Sequence, residues 1–197
     1  MFFCPNVKKH EDYSGDTTSK SAALRCWVRK RTWDLGVWET KAACPTPNAY
    51  SLQILPSEWL LDVGCGANPF KTLVPRCVGI DPARDEADFQ VTIEDFHATR
   101  RFDVAACLGS LNFGDDAVVG RQIHKMVTLL KDRSRVYWRL NPGRRDHASE
   151  KCQGISFYPW SFRRLQDFAA LHDFRQTNEQ TESNGQVVRL YAEWHRY

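Results

Sequence analysis

The sequence predicts an α/β fold, a doubly wound and mostly parallel sheet with helices on both faces. Short apolar runs alternate with helical patterns along the chain, as in sheets built from strand–helix–strand units. The run from Trp59 to Val63 is apolar except for Asp62, which is typical of a strand covered on both faces. Gly64 and Gly66 follow it directly, where such a strand turns into a ligand-binding loop.

The expected elements follow in order along the chain. Apolar runs predict strands at 59–63, 77–80, 89–93, 102–108 and 135–140, with a helix near residue 70. Asn68 is expected to cap that first helix, and Pro69 suits its first position. A helix at 160–171 and strands around 173–179 and 186–194 are expected to complete the chain.

A longer helix is predicted at 115–131. Asp115 and Asp116 favour a helix N-terminus, because acidic groups interact well with the positive end of the helix dipole. An apolar stripe recurs at three- and four-residue spacing; its members are Ile123, Met126, Val127 and Leu130. Lys131 and Arg133 are expected to close the C-terminal end.

Composition predicts one domain. The chain has 197 residues and is 42% hydrophobic, enough for a substantial core. Residues 1–57 are expected to form a tail, a helix at about 19–33 and a loop that cap the site, and residues 58–197 the core. No apolar run reaches 18 residues, and the N-terminus lacks the order of a signal peptide, so a cytoplasmic protein is expected.

Seven scattered cysteines without a C-x-x-C pair predict neither a disulfide framework nor a metal site. Cys65, Cys77 and Cys107 fall in sheet or turn positions, and we expect them to be small buried apolar side chains.

The glycine turn and a second acidic residue indicate a nucleoside-bearing cofactor. Asp81 ends the strand 77–80, where its carboxylate could accept hydrogen bonds from both ribose hydroxyls. A dinucleotide fingerprint would have a third glycine where this chain has Pro69, which disfavours a pyrophosphate site. Asp62 adds negative charge that would repel phosphate and attract an amino group. The pattern therefore favours S-adenosylmethionine over NAD.

Four segments in order resemble class I S-adenosylmethionine-dependent methyltransferases. Residues 62–66 (Asp-Val-Gly-Cys-Gly) resemble motif I, and 79–81 the acidic ribose loop. Residues 92–96 resemble the segment that flanks adenine, and 102–112 the fourth strand with its ligand-side loop. The resemblance implies a seven-stranded sheet with an antiparallel last strand, S-adenosylmethionine as cofactor, and methyl transfer.

The same resemblance implies a set of cofactor contacts. Asp62, Gly64 and Gly66 are expected at the methionine end, Asp81 at the ribose, and Asp95 with Phe96 near adenine. The full expected set is Asp62, Gly64, Cys65, Gly66, Asn68, Asp81, Pro82, Asp95, Phe96, Leu108, Ser110 and Asn112. A strong base is optional for methyl transfer, and Asp146 or His147 is the candidate, with the segment 158–160 as a second source.

The methyl acceptor is not determined by sequence. The loop after the fourth strand carries neither the Asn/Asp-Pro-Pro-aromatic box of amino-directed DNA methyltransferases nor the Pro-Cys of cytosine-C5 enzymes. A small molecule or a protein is therefore placed slightly ahead of RNA. RNA contact is expected, if anywhere, from Arg25, Arg29, Lys30 and Arg31, although the net charge of +3 is modest for a nucleic-acid binder. Two alternatives stay open, an NAD-dependent oxidoreductase and a non-catalytic nucleic-acid-binding module.

Overall fold

A computed structural model describes residues 52–142, 157–183 and 188–197. The expected helix at 19–33, the basic residues Arg25, Arg29, Lys30 and Arg31, and the candidate bases Asp146 and His147 lie outside the described residues. The division at residue 57 also stays a prediction.

The described residues form a six-stranded sheet. Its strands are β1 (Leu60–Val63), β2 (Cys77–Ile80), β3 (Phe102–Leu108), β4 (Leu130–Leu140), β5 (Arg175–Ser183) and β6 (Val188–Arg196). Their order is β2-β1-β3-β4-β6-β5. The first four are parallel, and β6 runs antiparallel to both β4 and β5. This confirms the mostly parallel, doubly wound sheet and its antiparallel ending.

The prediction of a strand at 89–93 is wrong. The described sheet therefore has six strands where seven were expected. Only Phe89 pairs, in an isolated bridge to Ile80. Thr92 and Asp95 then bond to each other: the Thr92 hydroxyl donates to the Asp95 carboxylate at 2.7 Å and accepts the Asp95 N–H at 3.2 Å. This local turn replaces strand pairing, because such side-chain bonds compete with the sheet for the backbone.

Each face of the sheet has its own apolar cluster, because successive strand side chains point to opposite faces. The first face packs Ala105, Cys107, Val136 and Trp138 against helices α1 (Asp116–Thr128) and α2 (Phe162–Leu171). The second face carries a smaller cluster of Leu60, Cys77, Val104, Ala106 and Tyr137. Leu52, Ile54 and Phe70 cover it, and Phe70 belongs to a short 3₁₀ helix (Pro69–Thr72).

Helix α1 begins as expected and ends earlier. Asp115 is its N-cap, and its side chain accepts the Val118 N–H at 2.9 Å. The C-cap is Leu129. Leu130, Lys131 and Arg133 belong to β4 and not to the helix, because Leu130 pairs with Phe102 at the start of β3. Tertiary pairing here outweighs the helical spacing of the sequence.

The remaining elements differ from expectation by a few residues only. The helix expected at 160–171 begins at Phe162, after the N-cap Ser161, and both C-terminal strands extend past their expected ends. Within the described ranges, no helix is long and apolar enough to cross a membrane.

Candidate active site

Buried polar residues concentrate at one edge of the sheet. Six polar or charged side chains are buried in the described chain: Asp62, Asn68, Asp81, Asn112, Ser134 and Asn141. All except Ser134 lie at or just beyond the C-terminal ends of the parallel strands β1 to β4. Open α/β sheets bind ligands at this edge.

The glycine turn after β1 has the conformation that its sequence predicts. Gly64 and Gly66 have φ angles of 71° and 58°, in the left-handed region that favours glycine. A Cβ at Gly64 would lie 2.6 Å from the Cβ of Ser110, so the turn packs tightly on the loop after β3. A Cβ at Gly66 would meet no atom of the described residues within 4 Å, so the described part of the chain leaves open space there.

Asp81 ties this turn to the end of β2. Its two carboxylate oxygens accept the N–H of Gly66 at 3.1 Å and the N–H of Ala83 at 2.8 Å. The side chain is buried, and burial raises the carboxyl pKa while the two backbone bonds oppose the rise. Each oxygen keeps lone pairs for another donor, so Asp81 can hold the turn and also accept ligand hydroxyls.

Asp62 is a buried carboxyl of a different kind. It is only 3% exposed, and no residue of the described ranges donates a hydrogen bond to its carboxylate. Burial, and secondarily the charge of Asp81, raises the pKa of Asp62 to about 7. A buried carboxylate without a partner is costly, and a nearby cation would relieve that cost. The site therefore suits a ligand with a positively charged group.

Asn68 occupies the N-cap position of the 3₁₀ helix and Pro69 stands at its start, as expected, but Asn68 does not cap the helix with its side chain. Its φ of 56° is left-handed and its side chain makes no capping bond. The side-chain amide instead donates to the carbonyl oxygen of Glu86 at 3.2 Å and lies over Gly79, where a Cβ would come within 2.5 Å of it. Asn68 thus joins the glycine turn to the loop after β2.

Asp95 and Phe96 differ in their surroundings. Asp95 is exposed and its carboxylate accepts the Thr92 hydroxyl. Phe96 is buried, with ring centroids of Phe89 and Phe102 at 5.3 and 6.4 Å. Their contact with adenine stays a prediction, and core packing by itself accounts for the position of Phe96.

The loop 109–113 completes the edge between β3 and β4. Gly109 and Leu111 have positive φ angles of 107° and 53°. Asn112 is buried and donates its side-chain amide to the Gly109 carbonyl at 2.7 Å. Its side-chain oxygen is buried without a hydrogen-bond partner in the described chain. Asn112 therefore offers an acceptor to any donor that enters the edge.

Other expected contacts are placed at the same edge. Leu108 ends β3 half-buried, Ser110 contacts the glycine turn, and Pro82 follows Asp81 half-buried. Cys65 is buried beside Asp62 and Asp81, and burial raises its thiol pKa. Cys65, Cys77 and Cys107 are all buried free thiols, which confirms their expected packing role. No cluster of metal-ligating side chains occurs among the residues that the structure describes.

Asn141 is absent from the cofactor contacts expected from the sequence. Asn141 directly follows β4 and is 5% exposed, with a side-chain oxygen that has no partner in the described ranges. A polar residue straight after a buried strand was the available signal. Tyr158 is buried and its hydroxyl bonds to Asp116 and Arg164. Its pKa is raised, mainly by burial and also by its bond to Asp116.

Comparison with known proteins gives structural similarity only, since no family model and no curated protein sequence matches. The fold is similar to the 1,6-didemethyltoxoflavin-N1-methyltransferase of Burkholderia thailandensis, with bound 1,6-didemethyltoxoflavin and S-adenosylhomocysteine. The TM-score is 0.64 at 13% identity, over 95% of this chain and 93% of that one. The chain has the methyltransferase fold.

Two further structures with the methyltransferase fold are similar over most of their length. Magnesium protoporphyrin IX methyltransferase of Synechocystis PCC 6803, with bound S-adenosylmethionine, gives a TM-score of 0.58 at 15% identity, covering 94% of this chain and 86% of that one. A complex of the Haloferax volcanii Trm112 activator and a methyltransferase gives 0.59 at 13% identity, covering 90% and 95%. These confirm the fold class expected from the sequence.

The buried charge of Asp62 predicts a pH-dependent stability effect. The pKa of Asp62 is about 7 in the folded protein against 3.8 for the free side chain, so the folded state binds more protons between these values. Stability is therefore lost as pH rises through this window. Asp62→Asn should raise the free energy of unfolding above pH 7 by on the order of 3 kcal/mol.

The gain should shrink as pH falls toward 4. Urea unfolding of both proteins across pH measures it, with Asp103→Asn as a control, because the pKa of that half-buried carboxyl is lowered by its bond to Lys131 and not raised. An Asp62→Asn gain that does not change with pH would contradict a raised pKa.

The two turn glycines should respond differently to alanine. Gly64→Ala meets both a left-handed φ and a Cβ contact of 2.6 Å with Ser110, so we expect a loss of roughly 3 kcal/mol. Gly66→Ala meets only the left-handed φ and should lose about 1 kcal/mol. Urea unfolding of the two variants tests this, and equal losses would show that the turn is not packed on Ser110.

Proposed function

We propose that this protein is an S-adenosylmethionine-dependent methyltransferase. The main support is the buried carboxyl of Asp62, which receives no hydrogen bond from the described residues, beside a left-handed glycine turn that Asp81 holds in place. The proposal is also supported by the methyltransferase fold, since two structurally similar proteins hold S-adenosylhomocysteine or S-adenosylmethionine.

The residues present fit that cofactor. Asp62 would accept the α-ammonium of its methionine part, which relieves the buried charge. The open space at Gly66 leaves room for a ligand against the backbone, and Asp81 keeps lone pairs for the ribose hydroxyls. The buried acceptor oxygens of Asn112 and Asn141 call for ligand donors. Asp95 and Phe96 are proposed near adenine.

S-adenosylmethionine supplies an electrophilic methyl group on a positively charged sulfur. The chain's own contribution is to align the acceptor with that group and to exclude water. In this proposal Asp62 and Asp81 hold the cofactor, and the loop 109–113 with Asn141 borders the same edge of the sheet. If the acceptor must lose a proton, Asp146 or His147 is proposed to take it, since both follow β4 closely in the sequence.

The acceptor is proposed to be a small molecule or a protein ahead of RNA. Two structurally similar enzymes are named for small-molecule acceptors, 1,6-didemethyltoxoflavin and magnesium protoporphyrin IX. RNA contact through Arg25, Arg29, Lys30 and Arg31 stays a prediction, and so does a cytoplasmic location. The NAD-dependent and nucleic-acid-binding alternatives gain no support from the comparisons.

Calorimetric titration with S-adenosylhomocysteine, with NADH as the control, tests the proposal. We expect micromolar binding of the first and none of the second. Binding of NADH alone would favour the oxidoreductase, and salt-dependent RNA binding without either cofactor would favour the nucleic-acid module.

Affinity for S-adenosylhomocysteine should depend on pH through Asp62. Its α-ammonium favours the ionised carboxylate, so binding should lower the Asp62 pKa below about 7. This contribution is present above pH 7 and is lost as pH falls, by up to about tenfold per pH unit. The matched control is 5′-methylthioadenosine, which lacks the amino group and should bind with a flatter pH profile. Asp62→Asn should weaken S-adenosylhomocysteine binding at high pH and flatten its profile, and an unchanged wild-type profile would remove Asp62 from the ammonium site.

The proposed bases are tested once an acceptor is in hand. Asp146→Asn and His147→Gln should leave S-adenosylhomocysteine affinity unchanged, and the one that replaces the base should lower kcat by roughly a hundredfold or more. Normal kcat in both would assign the proton to another group or to water.

A further inference from the structure

The loop 109–113 is hydrogen-bonded to a short segment, residues 157–160, that lies much later in the sequence. The segment 157–160 bridges to it at Phe113 and Phe157 in antiparallel fashion. The backbone N–H of Tyr158 donates to the carbonyl of Asn112 at 2.9 Å. The indole N–H of Trp160 donates to the carbonyl of Leu111 at 3.1 Å, in a buried contact.

Leu111 has a strained backbone conformation that its surroundings must stabilise. Its φ is 53°, a left-handed conformation that is unfavourable for a residue with a Cβ. Its neighbour Ser110 lies where a Cβ at Gly64 would clash, so the loop lies directly on the glycine turn. If Leu111 left its left-handed conformation, Ser110 would therefore move relative to the glycine turn.

Trp160 is itself firmly placed. It is 2% exposed, and its ring centroid lies 4.6 Å from Tyr158, 6.1 Å from Trp138 and 6.0 Å from Phe168. Tyr158 adds a second anchor, because its hydroxyl bonds to Asp116 at the start of α1. The donor to Leu111 thus comes from a rigid part of the first-face core.

We propose that Trp160 is a positioning residue for the cofactor site, which acts through Leu111. Its indole N–H keeps the loop 109–113 in the left-handed turn that packs on Gly64, so the site exists before the ligand arrives. This inference rests on the proposed function, because the ligand whose affinity it affects is S-adenosylhomocysteine or its methyl donor.

Trp138 provides a matched control. It lies in the same aromatic cluster and is fully buried, but its indole N–H has no hydrogen-bond partner in the described chain. Trp138→Phe and Trp160→Phe therefore remove the same atoms from neighbouring places in one core. Only the second removes a bond to the loop.

Calorimetric titration of both variants with S-adenosylhomocysteine, at a temperature where each is fully folded, tests the proposal. Trp160→Phe should bind roughly tenfold more weakly than wild type, because the Leu111 carbonyl loses its donor. Trp138→Phe should bind like wild type. Equal affinities in all three proteins, or equal weakening in both variants, would overturn the role of Trp160.

Two readouts separate positioning from general stability. Amide hydrogen exchange at residues 109–113 should speed up in Trp160→Phe and stay unchanged in Trp138→Phe. In the wild-type protein, which needs no substitution to fold, the Trp160 indole N–H should exchange more slowly when S-adenosylhomocysteine binds, and Trp138 should not respond. An unaffected Trp160 signal would count against the proposal even if Trp160→Phe did not fold.

The proposed function and the positioning role of Trp160 can be contradicted separately. A wild-type protein that does not bind S-adenosylhomocysteine contradicts the proposed function, and the positioning role with it. A wild type that binds, beside a Trp160→Phe variant that binds equally well, contradicts only the positioning role.

Discussion

The burial of Asp62 beside Asp81 is the constraint around which the candidate site is arranged. Burial, and secondarily the charge of Asp81, opposes ionisation of Asp62, and Asp62 has no hydrogen bond from the described chain to offset its burial. Asp81 differs, because the turn donates two backbone N–H groups to it. Asp81 therefore stabilises the turn through its two backbone bonds, while Asp62 is proposed to meet a ligand. Such an arrangement sacrifices stability at a site for function.

Residues outside the segment 62–66 help to hold the glycine turn in place. Asn68 fastens the turn to the loop after β2, and Ser110 fills the space over Gly64. Next to Ser110, the carbonyl of Leu111 accepts a hydrogen bond from the indole N–H of Trp160, which lies in the first-face core. The geometry of the glycine turn thus depends on contacts from three separate parts of the chain, and not only on its own glycines.

Local pattern predicted the strands β1, β2 and β3, the N-terminus of α1 and the conformation of Gly64 and Gly66, because these follow from nearby residues. Local pattern gave wrong predictions where contacts outside the local spacing determine the conformation. Leu130 leaves the helix because it pairs with Phe102, and 89–93 is a turn because Thr92 and Asp95 bond to each other. The bond from Trp160 to Leu111 joins residues 49 positions apart, and no local signal predicts a leucine with a positive φ.

The most direct test of this account is an NMR titration of the Asp62 side-chain carboxyl, with and without S-adenosylhomocysteine. We expect a midpoint near pH 7 in the free protein and a clearly lower one in the complex. A free-protein midpoint near the ordinary value of 3.8, or one that the ligand leaves in place, would contradict the claim that Asp62 is held in reserve for a cationic group.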